Sequence, residues 1–379
     1  MSTGPSAAAL PGYHRPDAWA GLPLVDADVR VAPPPLSDLF RYLDAHWRDY
    51  LVESGLNALG ATLHPLGVPG VFLPGTASAA GAPGSDLDLL RAQLLDPWQV
   101  EAAVSSCALG IDALHNDDLA AALATAVNRW QSEHWLAADA RLWGSAVVPV
   151  QNVDLAVAEV ERIAGDSSFV QVLLPVRSRE PLGRRSMLPI LRAAAEADLV
   201  VALHPSGSSG LPTTPVGWAT SYTEEYVDLA LAFQAQILSL VAEGVFSVLP
   251  ALRVVCIESG LTWLPPLLWR FDKNWKGLRR EVPWVKEPPS EVVRRHVRLT
   301  APPLDAAADD PLLRETLDQL ESEEMVLFGS GYPLAHFPSG KLPLPPGMTR
   351  STLARVLAGN AQDTYRLGGP RPVEGVACP

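Results

Sequence analysis

Four polar side chains stand where the chain otherwise reads as buried strand. Asp28 and Arg30 close the run Pro-Leu-Val-Asp-Ala-Asp-Val-Arg at 23–30. Residues two apart on a strand face the same way, so the two can pair directly. In one reading they form an ion pair that ties the strand end together. In the other, the planar fork of Arg30 supplies fixed positive charge for a carboxylate or a developing oxyanion. Arginine has no lone pair to offer a metal. His204 ends the apolar run 198–204 and Glu258 ends the run 253–258. A carboxylate at such a place is costly unless it is paired or functional. A raised pKa would suit Glu258 to general acid or base chemistry, and a partnership with Arg30 is the alternative. Asp28, Arg30, His204 and Glu258 are therefore the candidate catalytic residues. Trp218, Tyr222, Trp263, Tyr332 and His336 are candidates for the substrate wall, and Asp26 reads as a backbone or neighbouring-strand partner.

These residues need a frame. Apolar runs at 23–30, 101–109, 143–150, 169–176, 198–204, 253–258, 297–300 and 325–329 alternate with helical patterns. The helices expected are 117–136, capped by Asn116, then 153–164, 187–197, 226–243 and 261–275. Eight apolar strands alternating with helices predict an α/β fold, a parallel (β/α)8 barrel of the TIM type. A doubly wound sheet is the rival, but no glycine-rich phosphate loop follows the first strand. Residues 33–97 form a long insertion after strand one, and 205–225 a second long loop. In a barrel both lie over the C-terminal face, where they can act as lids or substrate walls. Residues 1–21 read as an arm that is flexible or docks on a neighbour, 22–367 as the barrel domain, and 368–379 as a Pro/Gly-rich tail.

Composition limits the partners. The chain has 379 residues, 48% of them hydrophobic, and a net charge of −13. That size supports a sizeable core in one large domain. The acidic balance argues against general binding to nucleic acid or an anionic membrane. Cys107, Cys256 and Cys378 form no CxxC pair, and the eight histidines form no HxH or HExxH motif. Neither a disulfide framework nor a cysteine-zinc site is expected, and a reducing cytoplasm is the expected compartment. No run of about 18 apolar residues appears, so no membrane span is predicted, and no secretory leader is read at the N-terminus. The 226–243 helix is apolar over much of its circumference, which suits a buried or subunit-contact helix and hence a homo-oligomer, such as a homodimer. The Ser-Gly-Ser-Ser-Gly run at 206–210 has the look of an anion nest, and Arg184 and Arg185 read as loop charge.

Several longer stretches carry a family resemblance. They are Val-Asp-Ala-Asp-Val, Gly-Ser-Asp-Leu-Asp-Leu-Leu (84–90), Leu-His-Pro (203–205) and Glu-Gly-Val-Phe (243–246). To these are added the block Trp-Leu-Pro-Pro-Leu-Leu-Trp-Arg-Phe-Asp-Lys-Asn-Trp (263–275), Phe-Gly-Ser-Gly-Tyr-Pro (328–333) and Gly-Asn-Ala (359–361). Over roughly 22–367 the chain resembles the amidohydrolase-2 branch of metal-dependent barrels, which includes aminocarboxymuconate-semialdehyde decarboxylase and resorcylate-type decarboxylases. The resemblance implies two metal ligands on strand one, here Asp28 and Arg30, and a histidine ligand on strand five, here His204. It also implies a histidine on strand six, here Glu258, and an aspartate after strand eight, here Gly331. His336 lies five residues beyond Gly331 and can partly compensate. With Arg30 and Gly331 at ligand positions, the expectation is an enzyme with no cofactor and no catalytic metal. It would act by acid/base chemistry on a small anionic organic substrate, as a lyase, cyclase, isomerase or decarboxylase, in specialised metabolism. One alternative is a zinc- or manganese-dependent hydrolase or decarboxylase using Asp28, His204 and Glu258, with His336 as a further ligand. The other is a non-catalytic member that binds a metabolite or a partner protein.

Overall fold

Eight parallel strands hydrogen-bond in sequence order: β1 (Val25–Arg30), β2 (Ala102–Ser106), β3 (Leu142–Val147), β4 (Phe169–Pro175), β5 (Val200–His204), β6 (Val254–Cys256), β7 (Val297–Ala301) and β8 (Val326–Phe328). The computed structural model describes residues 10, 13–59, 71–78, 81–205, 211–336 and 343–368. The serine-glycine run at 206–210 and the tail beyond 368 lie outside the described residues. The ring closes between β1 and the segment after β8. Arg30 N donates to the Tyr332 carbonyl at 2.7 Å, Gly331 N donates to the Asp28 carbonyl at 2.9 Å, and Val29 bridges Tyr332 in parallel. The predicted (β/α)8 barrel is the observed fold.

Two apolar layers hold it together. Val25, Ala27, Ala102, Val104, Leu173, Val200, Ala202, Val255, Ile257 and Leu327 fill the barrel interior. A larger layer packs the strands against the helices. The interior is plugged by the helix Asn360–Tyr365, whose Tyr365 hydroxyl donates to Gln171 Oε1 at 3.0 Å. Asn116 caps the helix Asp117–Gln131 as expected, its Oδ1 accepting from Leu119 N at 3.0 Å. The helix Tyr222–Ala242 is long and apolar enough to meet the length and composition test for a membrane span. Here it is a layer of the barrel. Leu229, Phe233, Ile237 and Leu240 are buried, and the side chain of Gln236 bonds the Val176 carbonyl and Leu182 N. In the stretch read as an arm, Tyr13 and Trp19 are buried, with their rings against Trp98 and, for Trp19, Phe328.

One irregularity matters for function. Asp26 lies opposite Ala103, yet Val29 lies opposite Ser105, so β1 carries one extra residue. Such a bulge re-aims the side chains that follow it. Before it, Val25 and Ala27 fill the interior. After it, Val29 joins the outer layer, which turns Asp28 and Arg30 into the barrel mouth.

Candidate active site

The site is built from strand ends on one face. Asp28 and Arg30 come from β1, His204 is the last residue of β5, and Glu258 lies two residues past β6. Asp28, His204 and Glu258 are all buried. Simple alternation would carry Glu258 outward, because Val255 and Ile257 point in. Its backbone instead adopts a left-handed conformation, φ 55°, which is uncommon for a residue with a side chain and marks a strained position. The surroundings hold it there. Glu258 N donates to Thr300 Oγ1 at 2.9 Å. Just beyond, Asp305 Oδ2 accepts from Leu261 N and Thr262 N, both at 2.7 Å. Gly260, φ 69°, lets the Asp305 carboxylate approach where a Cβ would collide with it.

Arg30 grips both oxygens of Glu258, Nε on Oε1 and Nη2 on Oε2. His336 Nε2 lies 3.4 Å from Glu258 Oε1. The loop bearing His336 is fixed by the insertion after β1. Ala335 N donates to the Val71 carbonyl at 3.0 Å and Leu73 N to the Pro333 carbonyl at 2.9 Å, with Phe72 bridging Leu334. The imidazole thereby enters the space a side chain at 331 would need, since a Cβ on Gly331 would overlap His336 Cδ2 and Nε2. The glycine at 331 and the histidine at 336 are two halves of one exchange. A ligand type missing at the expected position is supplied from five residues further on.

The two carboxyls ionise differently. Burial first, and then the charge of Glu258, push Asp28 well above the ordinary carboxylate range. Burial acts upward on Glu258 as well, but the guanidinium of Arg30, followed by His336 and His204, holds it well below. Asp26 has a structural role: its Oδ1 accepts from Asp28 N at 3.1 Å and Ser330 N at 2.9 Å, stapling β1 to the loop after β8.

A metal can be accommodated. Donor atoms of Asp28, Glu258 and His336 lie within 4.8 Å of one another. Neither buried carboxylate oxygen of Asp28 has a hydrogen-bond partner. Buried acceptors without donors are costly, and a cation satisfies them. Two carboxylates and one imidazole suit a catalytic divalent ion such as manganese.

The other candidates separate. Tyr222 sits near Arg30 and Glu258; burial raises its pKa, with Arg30 opposing. Tyr332 is buried with its hydroxyl on Gln93 Oε1 at 2.7 Å. Trp263 is part-buried and donates to the Ser259 carbonyl at 2.8 Å, bracing the β6 loop. Trp218 is exposed. Sequence reasoning missed Tyr226, whose ring centroid lies 5.9 Å from that of Tyr222. Burial and then the charge of Glu258 push its phenol up. The signal was there, a second tyrosine at i+4 on the opening turn of a helix. Also missed was the buried pair Arg177–Glu225, Nη1 to Oε1 3.1 Å, which links the end of β4 to that same helix turn.

Comparison with known proteins places the fold in a family. The amidohydrolase family profile matches residues 25–367, and the chain belongs to that family. None of the curated proteins matches the sequence significantly. Among solved structures, an amidohydrolase from Mycobacterium avium subsp. paratuberculosis K-10 superposes with a TM-score of 0.69 at 21% identity, covering 91% of this chain and 99% of that one. A 2,6-dihydroxybenzoate decarboxylase from Rhizobium gives 0.63 at 18% identity, covering 91% and 99%. A 5-carboxyvanillate decarboxylase from Novosphingobium aromaticivorans DSM 12444, in complex with manganese and a nitrobenzoic acid, gives 0.65 at 16% identity, covering 94% and 99%.

The expectation of no cofactor is corrected by these findings. Similar barrels hold manganese, and this chain gathers Asp28, Glu258 and His336 into a group whose donor atoms could hold a metal ion. Of the expected ligands Asp28, His204 and Glu258, with His336 as a further one, the structure brings the donor atoms of Asp28, Glu258 and His336 within 4.8 Å of one another. The part expected of His336, to compensate for the glycine at 331, matches its position, since the loop folds its ring into the space a Cβ at 331 would need.

Proposed function

We propose that this protein is a divalent-metal-dependent decarboxylase acting on a small anionic aromatic acid. The observation that carries the reading is the buried Asp28 carboxyl, neither oxygen of which meets a hydrogen-bond donor, inside the group completed by Glu258 and His336. The related barrels named as decarboxylases of dihydroxybenzoate and carboxyvanillate support the reaction class.

Asp28, Glu258 and His336 would hold the ion. When bound, it supplies Lewis-acid polarisation of a substrate oxygen. Arg30 offers a planar donor fork matched to a carboxylate. Tyr222 and Tyr226, kept protonated by burial, present hydroxyl donors and flat apolar faces to an aromatic ring. We assign proton delivery to His204. The bond between ring and carboxylate carbon breaks, its electron pair stays on the ring carbon, and that carbon takes the proton from His204 as carbon dioxide leaves. Solvent then reprotonates the imidazole.

The test is carbon dioxide release from a panel including 2,6-dihydroxybenzoate and 5-carboxyvanillate, with manganese and after chelation. Manganese-dependent release that His204→Asn abolishes, with metal binding intact, is the expected result. Absence of both manganese binding and turnover would remove this function.

A further inference from the structure

We propose that Arg30 is an internal competitor of the metal: guanidinium and divalent cation draw on the same carboxylate, Glu258, so cation binding is coupled to release of Arg30. This rests on the metal-dependent reading above and concerns how this chain's own side chains regulate that site.

Three observations converge. First, Arg30 engages both oxygens of Glu258 in a two-point contact, the geometry in which arginine holds a carboxylate most firmly. Second, Glu258 Oε1 is shared. It accepts from Arg30 Nε and also lies 3.4 Å from His336 Nε2. The backbone that carries Glu258 is left-handed and bonded through its N–H to Thr300, so both cations must meet the carboxylate from one anchored position. Third, Asp28 stands two residues from Arg30 with no hydrogen-bond partner on either oxygen. The guanidinium thus bonds Glu258 and offers Asp28 its charge but no hydrogen bond, whereas a cation among the three donors would meet both carboxyls directly. A guanidinium this close to a dication repels it, and burial keeps solvent from screening the repulsion. Full coordination by Glu258 therefore requires Arg30 to withdraw. The withdrawn fork is then free for an anionic ligand, so binding energy from such a ligand and from the metal becomes linked.

The test is calorimetric titration of the full chain with manganese alone, comparing wild type with Arg30→Gln, Arg30→Met and His336→Ala. Removing the guanidinium should tighten manganese at least tenfold, about 1.4 kcal/mol, and His336→Ala should weaken it. Unchanged or weaker binding in the Arg30 variants, with His336→Ala still damaging, overturns the competition and leaves the metal reading standing. No binding by any of the proteins overturns both. A second measurement needs no substitution: in wild type labelled at arginine, zinc saturation should expose the Arg30 Nε–H to solvent exchange. Protection that persists at saturation overturns the proposal whatever the variants do.

Discussion

Replacing Gly331 by alanine imposes two separable costs. Gly331 has φ 65°, and holding a residue with a Cβ in the left-handed region costs about 1–2 kcal/mol. The new methyl would also fall inside the His336 ring, on Cδ2 and Nε2. Forcing extra volume into a packed site typically costs about 1–3 kcal/mol. Gly331→Ala should therefore lose about 2–5 kcal/mol of stability. It should also lose metal affinity, because relief comes only by expelling His336 from the donor group. His336→Ala removes the ring and with it the second cost, leaving the backbone strain alone. A double-mutant cycle should then show a coupling of about 1–3 kcal/mol in favour of the pair. Urea unfolding of the four proteins measures it. Costs that simply add, or a single Gly331→Ala variant as stable as wild type, would refute the view that glycine at 331 makes room for the histidine. The same logic holds for Gly331→Asp, which should help to rebuild a metal ligand only where His336 has been removed.

Further outcomes follow from other parts of the barrel. Asp139 takes Arg141 Nη2 at 2.8 Å and Arg91 Nε at 3.0 Å; burial pulls its pKa up, but these arginines prevail and bring it down to about 2. A depressed carboxylate contributes stability above its unfolded pKa of about 4 and loses it as pH falls toward the folded value, so thermal midpoints of wild type and Asp139→Asn should converge on acidification across that window. Glu225→Gln removes the charge that Arg177 Nη1 meets at 3.1 Å and should lower the thermal midpoint, while Arg177→Met with Glu225→Leu should come back near wild type; thermal unfolding of the single and double variants decides. Asp305→Ala removes the acceptor of three donors from Leu261 and Thr262 and should cost about 1–3 kcal/mol. Hydrogen exchange at those two amides should accelerate, and unchanged protection would show that Asp305 does not fix the Glu258 loop.

Periodicity made the scaffold legible from residues alone. Eight apolar runs became eight parallel strands because strands buried on both faces must be apolar throughout. The Asn116 cap was readable because it is a local contact between neighbours in sequence. The barrel then puts strand C-termini on one face, which is how Asp28, His204 and Glu258 could be read together. The rest of the site was decided by contacts distant in sequence or by departures from alternation. The one-residue bulge in β1 sets which way Asp28 and Arg30 point, and the left-handed backbone at Glu258 reverses its expected direction. His336 reaches the donor group only because Val71–Leu73 of the insertion pairs with Pro333–Ala335. Strand periodicity is written in each segment by itself. Metal-ligand geometry depends on which segments meet and at what register, and only the folded chain fixes that.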